Sequence, residues 1–310
     1  MPAPSPIGDD VALRSFRPRG WRQPDRCERE RRVPRASTFR PTHPDLRGCR
    51  VSDVRAGAAP RVDPPVSDAL GSDQSPPALL IRKLASTAQL TDRDRGAIGT
   101  LPFTVRTFPG RTSIVHEGDA PKQCCLILDG WAYRCRTLAN GQRQIFAFYV
   151  PGDMPDIESL HLHVMDQGLV AIAQTTVAFV AHKDMRALIQ SNTNVAMALW
   201  RDTLIDATRC RERVISLGRR QAVGRMAHLF CEMYVRLRTV ALADDLRYLL
   251  PLTQAELADA LGLSSVHANR SLQELRKMGL VTLHRRELII QDWSGLATTA
   301  EFDPSYLHLI

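Results

Sequence analysis

Nowhere does this 310-residue chain hold the roughly 20 unbroken apolar residues that a membrane-crossing helix needs, so no membrane partner is expected. The N-terminus lacks an apolar core ahead of a small-residue cleavage site, and no secretory signal is expected. Cysteine is sparse, odd in number at 7, and never in Cys-x-x-Cys spacing. That argues against a disulfide framework and for a reducing, cytoplasmic setting. It also denies an iron–sulfur cluster its closely spaced thiolates. A phosphate-cradling Gly loop, a Gly-x-Ser-x-Gly elbow and a zincin motif are missing too. The chain is therefore read as a non-enzyme, with no cofactor and no metal.

Positive charge is in excess: 41 Lys and Arg against 33 Asp and Glu, a formal +8, in a chain of ordinary hydrophobic content (44%). An anionic partner follows, and nucleic acid is the usual one through phosphate contacts and counterion release. Part of the excess lies in residues 1–78, where Pro, Arg, Ser, Asp and Gly dominate and apolar residues occur singly. Such a stretch cannot bury enough surface to offset its ordering entropy and is expected to be disordered. Its arginines (Arg14, Arg17, Arg19, Arg22, Arg29, Arg31 and Arg32) add at most weak, sequence-independent affinity for DNA.

Beyond it the pattern changes several times. Helical spacing marks residues 79–101, with Thr91-Asp92 as a cap and Pro102 as a stop. Residues 104–182 read as short strands (124–128, 131–136, 144–150 and 175–181) between turns such as Asp129-Gly130, Asn140-Gly141 and Pro151-Gly152-Asp153. In one strand Trp131, Tyr133 and Cys135 alternate with Ala132, Arg134 and Arg136. A sandwich or jelly-roll barrel is predicted. Residues 192–217 form a long helix free of Pro and Gly, with Gly218 as its expected C-cap. It is a candidate dimer seam, although Thr203, Asp206 and Cys210 interrupt its apolar stripe and packing on the barrel is the rival reading. A further helix covers residues 220–238.

The most informative stretch runs from Leu252 to Leu280. Thr253 and Glu256 form a capping box, Leu257, Ala260 and Leu261 line the buried side of a first helix, and Gly262 supplies a turn. Ser264 caps a second helix in which Ala268, Leu272 and Leu275 face inward. Val266, Asn269, Arg270, Gln273 and Lys277 face outward. This is the helix-turn-helix pattern, whose second helix enters the major groove of duplex DNA. Arg270 suits guanine O6 and N7, Ser265 and His267 suit base or phosphate contacts, and Asn269 suits either adenine or the backbone. Residues 280–283 and 287–290 then read as strands of a wing, with Arg285 and Arg286 at its tip.

Together with Gly118-Asp119, Leu128-Asp129-Gly130-Trp131, Arg143-Gln144-Ile145, Pro151-Gly152-Asp153 and Pro251-Leu252-Thr253-Gln254, this region resembles the Crp/Fnr family of bacterial transcription regulators. The segments from Val266 to Gln273 and from Ala300 to Tyr306 are similar to an alphaproteobacterial branch. The resemblance implies an α+β architecture: a cyclic-nucleotide-binding-type β-roll (79–190), a dimerisation helix (191–218) and a winged helix-turn-helix (219–310). It further implies a homodimer on a near-palindromic operator, with RNA polymerase as a partner. Val266 stands where the family often has glutamate, and an apolar valine would prefer a thymine methyl, which puts the usual half-site in doubt.

The family's cyclic-AMP binders use a Gly-Glu pair for the ribose, an Arg-Ser pair for the phosphate and a Thr-Ser pair for the adenine. The corresponding places here are Asp156-Ile157, Gln167-Gly168 and Cys210-Arg211. A phosphate without its arginine loses a charge-assisted contact, so the effector is expected to be something other than cyclic AMP, or none. Two alternatives stay open. One is a redox response through Cys210, whose thiol Arg209 and Arg211 would acidify; the other is a regulatory module of an enzyme. His161 and His163 with Asp156, Glu158 and Asp166 are read as an exposed polar loop rather than a metal site.

Overall fold

A computed structural model describes residues 75–310. The basic stretch expected to be disordered lies outside these residues up to residue 74. Its expected end at 78 moves back, because α1 (Pro76–Ala85) begins at Pro76. Proline is at home in a first helical turn, where its missing N–H would have no partner anyway. Leu79, Leu80 and Leu84 bury one face of α1. In α2 (Asp92–Gly99) the Thr91 hydroxyl accepts from the Asp94 amide while the Asp94 carboxylate accepts from the Thr91 amide, a reciprocal cap.

Seven strands follow: β1 (Phe103–Phe108), β2 (Ser113–Val115), β3 (Gln123–Asp129), β4 (Ala132–Thr137), β5 (Arg143–Tyr149), β6 (Gly168–Ala171) and β7 (Thr175–Ala181). They form two antiparallel sheets, ordered β1-β7-β3 and β2-β6-β4-β5, which face each other as a roll. Gly130 joins β3 to β4 at φ +75°, and any side chain there would collide with the Gln174 carbonyl. The β4 alternation is real, yet both of its faces are buried. Ala132 points into the roll with Ala147, Tyr149 and Leu169. Trp131 and Tyr133 point out of it, into a core shared with the C-terminal helices.

After α3 (His182–Ser191) comes the long α4 (Thr193–Arg219). Gly218 does not end it. The glycine stays helical, and the chain turns extended only at Arg220 (φ −77°, ψ 147°), whose side chain is held by Glu212 at 2.7 Å. Asp206 is also not part of the outward stripe: it accepts from the Tyr149 hydroxyl at 3.3 Å and pairs with Arg209 at 3.1 Å. Met197, Trp200, Leu204 and Val214 remain exposed on the outer side, with Thr203 and Cys210 beside them.

The C-terminal part comprises α5 (Ala222–Thr239), β8 (Ala243–Asp244), β9 (Arg247–Leu249), α6 (Gln254–Leu261), α7 (Ser265–Lys277), β10 (Val281–His284), β11 (Glu287–Ile290) and α8 (Trp293–Ala300). Its sheet runs β10-β11-β9-β8, so the expected two-stranded wing is backed by two further strands. Met226, Leu229, Phe230 and Met233 of α5 pack with Trp131, Tyr133, Ile145 and Phe148 of the roll in one continuous core.

Candidate nucleic-acid interface and sensor pocket

The reader is built from local rules. The Thr253 amide donates to Glu256 at 2.7 Å and the Glu256 amide to the Thr253 hydroxyl at 3.2 Å, closing the first turn of α6. Gly262 ends α6 in the left-handed region (φ 63°), which favours glycine. The Ser264 hydroxyl then accepts from the His267 amide at 3.2 Å and starts α7. Ala268, Ser271, Leu272 and Leu275 are buried behind α7. Ser265, Val266, His267, Arg270 and Gln273 are exposed, and Asn269 is half-buried. None of these outward side chains makes a hydrogen bond or ion pair among the described residues.

The wing tip is unusual. Arg285 (φ 49°) and Arg286 (φ 69°) occupy both central positions of a two-residue turn between His284 and Glu287. A favoured hairpin turn needs φ > 0 there, a state that asparagine and glycine reach more easily. Both arginines are exposed.

The sensor candidates do not meet in one pocket. Asp156 is buried, and one carboxylate oxygen accepts from the Cys125 amide at 2.7 Å while the other makes no hydrogen bond. Burial pushes this carboxyl up to about 7, and the nearby Glu158 charge adds to the shift. Ile157 packs against the core formed with α1 and α2. Gln167 is half-buried just before β6. Gly168 lines a cleft of about 600 Å³ between the outer face of the roll and the start of α6, which Tyr133, Arg143 and Thr253 also line. Cys210 and Arg211 are exposed on α4.

The space between the roll and α4 is instead filled by side chains that the sequence motifs do not single out. Arg134 reaches inward from β4 to the Pro155 carbonyl and the Glu158 carboxylate, with its guanidinium 6.0 Å from the Tyr149 ring centre. Arg209 approaches the same ring at 5.7 Å from α4 and donates to the Phe148 carbonyl at 3.3 Å. The cavity left beside Tyr149, Glu158, Asp206 and Arg209 is about 20 Å³, room for about one water molecule. Arginine at an inward place in a strand alternation is the available sequence signal, and Arg134 carries it.

Asp153 of the Pro-Gly-Asp turn ties the parts together. It accepts from Arg236 of α5 at 2.6 Å, from Lys83 of α1 at 2.8 Å and from the Val150 amide at 2.9 Å. Burial alone would raise its carboxyl, but Lys83, Arg236 and Arg209 overcome that and hold it well below the usual carboxylate range. On the other side of the shared core, Arg143 grips Asp259 of α6 at 2.7 Å. Behind α5 the Tyr306 hydroxyl donates to Glu232 at 2.9 Å, and its ring stacks on His228 with centres 5.9 Å apart.

Two domain families match these parts. The cyclic nucleotide-binding domain covers residues 105–192, and the Crp-like helix-turn-helix domain covers residues 224–299. The chain belongs to the Crp/Fnr family of transcription regulators. Among its relatives, the nitrogen fixation regulation protein FixK of Rhizobium meliloti is 28% identical over 183 residues, which is 59% of this chain and 80% of that one. The transcriptional activator protein FnrL of Cereibacter sphaeroides is 24% identical over 227 residues, 72% of this chain and 90% of that one. The structure of FixK2 from Bradyrhizobium japonicum shares the fold with a TM-score of 0.59 at 24% identity, over 64% of this chain and 98% of that one.

On this Crp/Fnr fold Cys210 is exposed, but its thiol is not acidified. Partial desolvation and the Asp206 carboxylate raise it, and Arg209, turned inward to the Phe148 carbonyl, offsets only part of that. His161, His163 and Asp166 are exposed, while Asp156 and Glu158 are engaged inside the roll. Among the described residues no group of three potential metal ligands comes together.

Proposed function

We propose that this Crp/Fnr regulator binds a near-palindromic duplex operator as a homodimer, reads it with the outward face of α7, and does so without cyclic AMP or cyclic GMP. The observation that carries the reading is the face formed by Ser265, Val266, His267, Asn269, Arg270 and Gln273, unpaired within the described residues and backed by buried Ala268, Leu272 and Leu275. Ser264 orients the first turn, Arg270 is assigned to a guanine, and Arg285 and Arg286 to phosphates. The dimer seam is assigned to α4, where Met197, Trp200, Leu204 and Val214 are 53%, 59%, 53% and 69% exposed at three-, four- and ten-residue steps. Apolar side chains so arranged are stabilised by a second helix laid along them.

Independence of cyclic nucleotides rests on Arg134, Tyr149, Glu158 and Arg209, which leave no room for a nucleotide beside α4. The reading involves no catalytic step, places the protein in the cytoplasm, and makes RNA polymerase a partner once the operator is occupied. The test is enrichment of binding sites from a random duplex library, followed by gel shifts with and without cyclic AMP and cyclic GMP. A two-fold symmetric motif and unchanged affinity are expected. An asymmetric motif, or tighter binding with either nucleotide, would refute the corresponding part.

A further inference from the structure

Val266 is the second residue of α7 and is 76% exposed. A single exposed apolar side chain needs no explanation in general, but the company of this one sets it apart. Ser265, His267, Asn269, Arg270 and Gln273 surround it on the outward face, all polar and all without partners among the described residues. The Ser264 cap fixes the turn that carries it, and a β-branched side chain in a helix has essentially one χ1 rotamer. Its two methyl groups are thus held in place at little entropic cost. Valine has neither donor nor acceptor. The apolar feature that a base edge offers in the major groove is a methyl group at C5 of a pyrimidine.

We infer that Val266 reads a C5 methyl group in the operator, and so distinguishes thymine and 5-methylcytosine from unmethylated cytosine. The inference rests on the groove reading proposed above and names what that face selects. Because valine is indifferent to the group at C4, the O4 of thymine and the N4 amine of 5-methylcytosine are equally acceptable to it. Occupancy of the operator then responds to cytosine-5 methylation at that position.

The experiment uses the full-length chain and the operator enriched from a random library. Each thymidine is replaced in turn by deoxyuridine, which lacks the methyl. Burial of one methyl corresponds to about a fourfold change in affinity, so one position per half-site should weaken binding by about that factor. At the same position a 5-methylcytosine·guanine pair should bind more tightly than a cytosine·guanine pair. In Val266→Ala, checked for unchanged far-UV circular dichroism, the deoxyuridine penalty there should vanish while effects elsewhere persist. A penalty that survives Val266→Ala, the absence of any methyl-dependent position, or equal binding to methylated and unmethylated cytosine there overturns the methyl contact and leaves the helix-turn-helix reader standing. Failure to enrich any sequence overturns both together.

Discussion

Replacing Asp153 by asparagine should loosen the winged helix from the roll, because this buried carboxylate joins Lys83 of α1 to Arg236 of α5. Asp153 is 3% exposed and neutralises Lys83 at 2.8 Å and Arg236 at 2.6 Å. Asparagine keeps the shape and can still accept from the Val150 amide, but it removes the one full negative charge that, among the described residues, touches both cations; Lys83 retains Asp202 at 3.4 Å and Arg236 retains Glu232 at 3.4 Å. Breaking a buried pair by removing one partner costs roughly 3–5 kcal/mol, because the stranded charge cannot return to water. The residual partners place this case near the lower end, about 3 kcal/mol. For a folded unit of this size that corresponds to a fall in melting temperature of about 6 °C. The assay is thermal unfolding at pH 7 followed by near-ultraviolet circular dichroism, with Arg236→Met and the double variant alongside. If stranded charge is the cause, the double variant should lose less than the two single losses added, by on the order of 1–3 kcal/mol. A loss below about 1 kcal/mol for Asp153→Asn, or strict additivity, would refute the argument.

Three further outcomes are expected. Arg270→Ala should fold normally, since its side chain is exposed and unpaired among the described residues, but lose operator affinity by about 1–3 kcal/mol and relax selectivity at one base pair. In fluorescence anisotropy, an unchanged affinity would contradict a guanine contact. Arg285→Ala with Arg286→Ala should weaken binding uniformly across sequences and reduce the slope of log affinity against log salt by about 2 per protomer, about 4 for the dimer; an unchanged slope would mean the wing tip touches no phosphate. The third concerns pH. Asp156 has a folded-state pKa pushed up to about 7 by burial, above its ordinary 3.8. Between those values the folded chain holds a proton that the unfolded chain has released. Its contribution to stability is therefore full below the lower value and lost as pH rises toward the upper one. Asp156→Asn should flatten the fall in stability between about pH 4 and pH 7 by on the order of 1 kcal/mol or more. A pH profile parallel to that of the parent would count against a protonated Asp156.

Much of the reader is legible in the amino-acid order, because its signals are local. A capping box at Thr253 and Glu256, a glycine at 262, a serine cap at 264 and inward residues at 268, 272 and 275 each act within one or two turns of chain, and the fold shows every one. The strands at 124–128, 131–136, 144–150 and 175–181 are likewise bounded by residues suited to turns. Where the local signal is weak, the expectation fails. Gly218 resembles a helix stop in sequence, yet the helix runs on to Arg219 and the chain turns extended at Arg220, whose side chain pairs with Glu212. The strands β8 and β9 are too short to show a period.

The sensor region is decided by distance in space rather than in sequence. The residues at Asp156-Ile157, Gln167-Gly168 and Cys210-Arg211 set an expectation about the effector, but say nothing of what fills the roll. That answer needs Arg134, Tyr149, Glu158 and Arg209 brought from separate elements to one ring and one carboxylate. The same holds for Asp153, whose cations lie on α1 and α5, and for Cys210, whose sequence neighbours promise an acidic thiol, whereas partial desolvation and the Asp206 carboxylate raise it. Caps, turns and amphipathic faces are properties of contiguous residues, and so the amino-acid order alone determined the reader and the strand pattern. Buried charge pairing and cavity filling depend on which distant side chains share a low-dielectric space, and only the tertiary fold decided those.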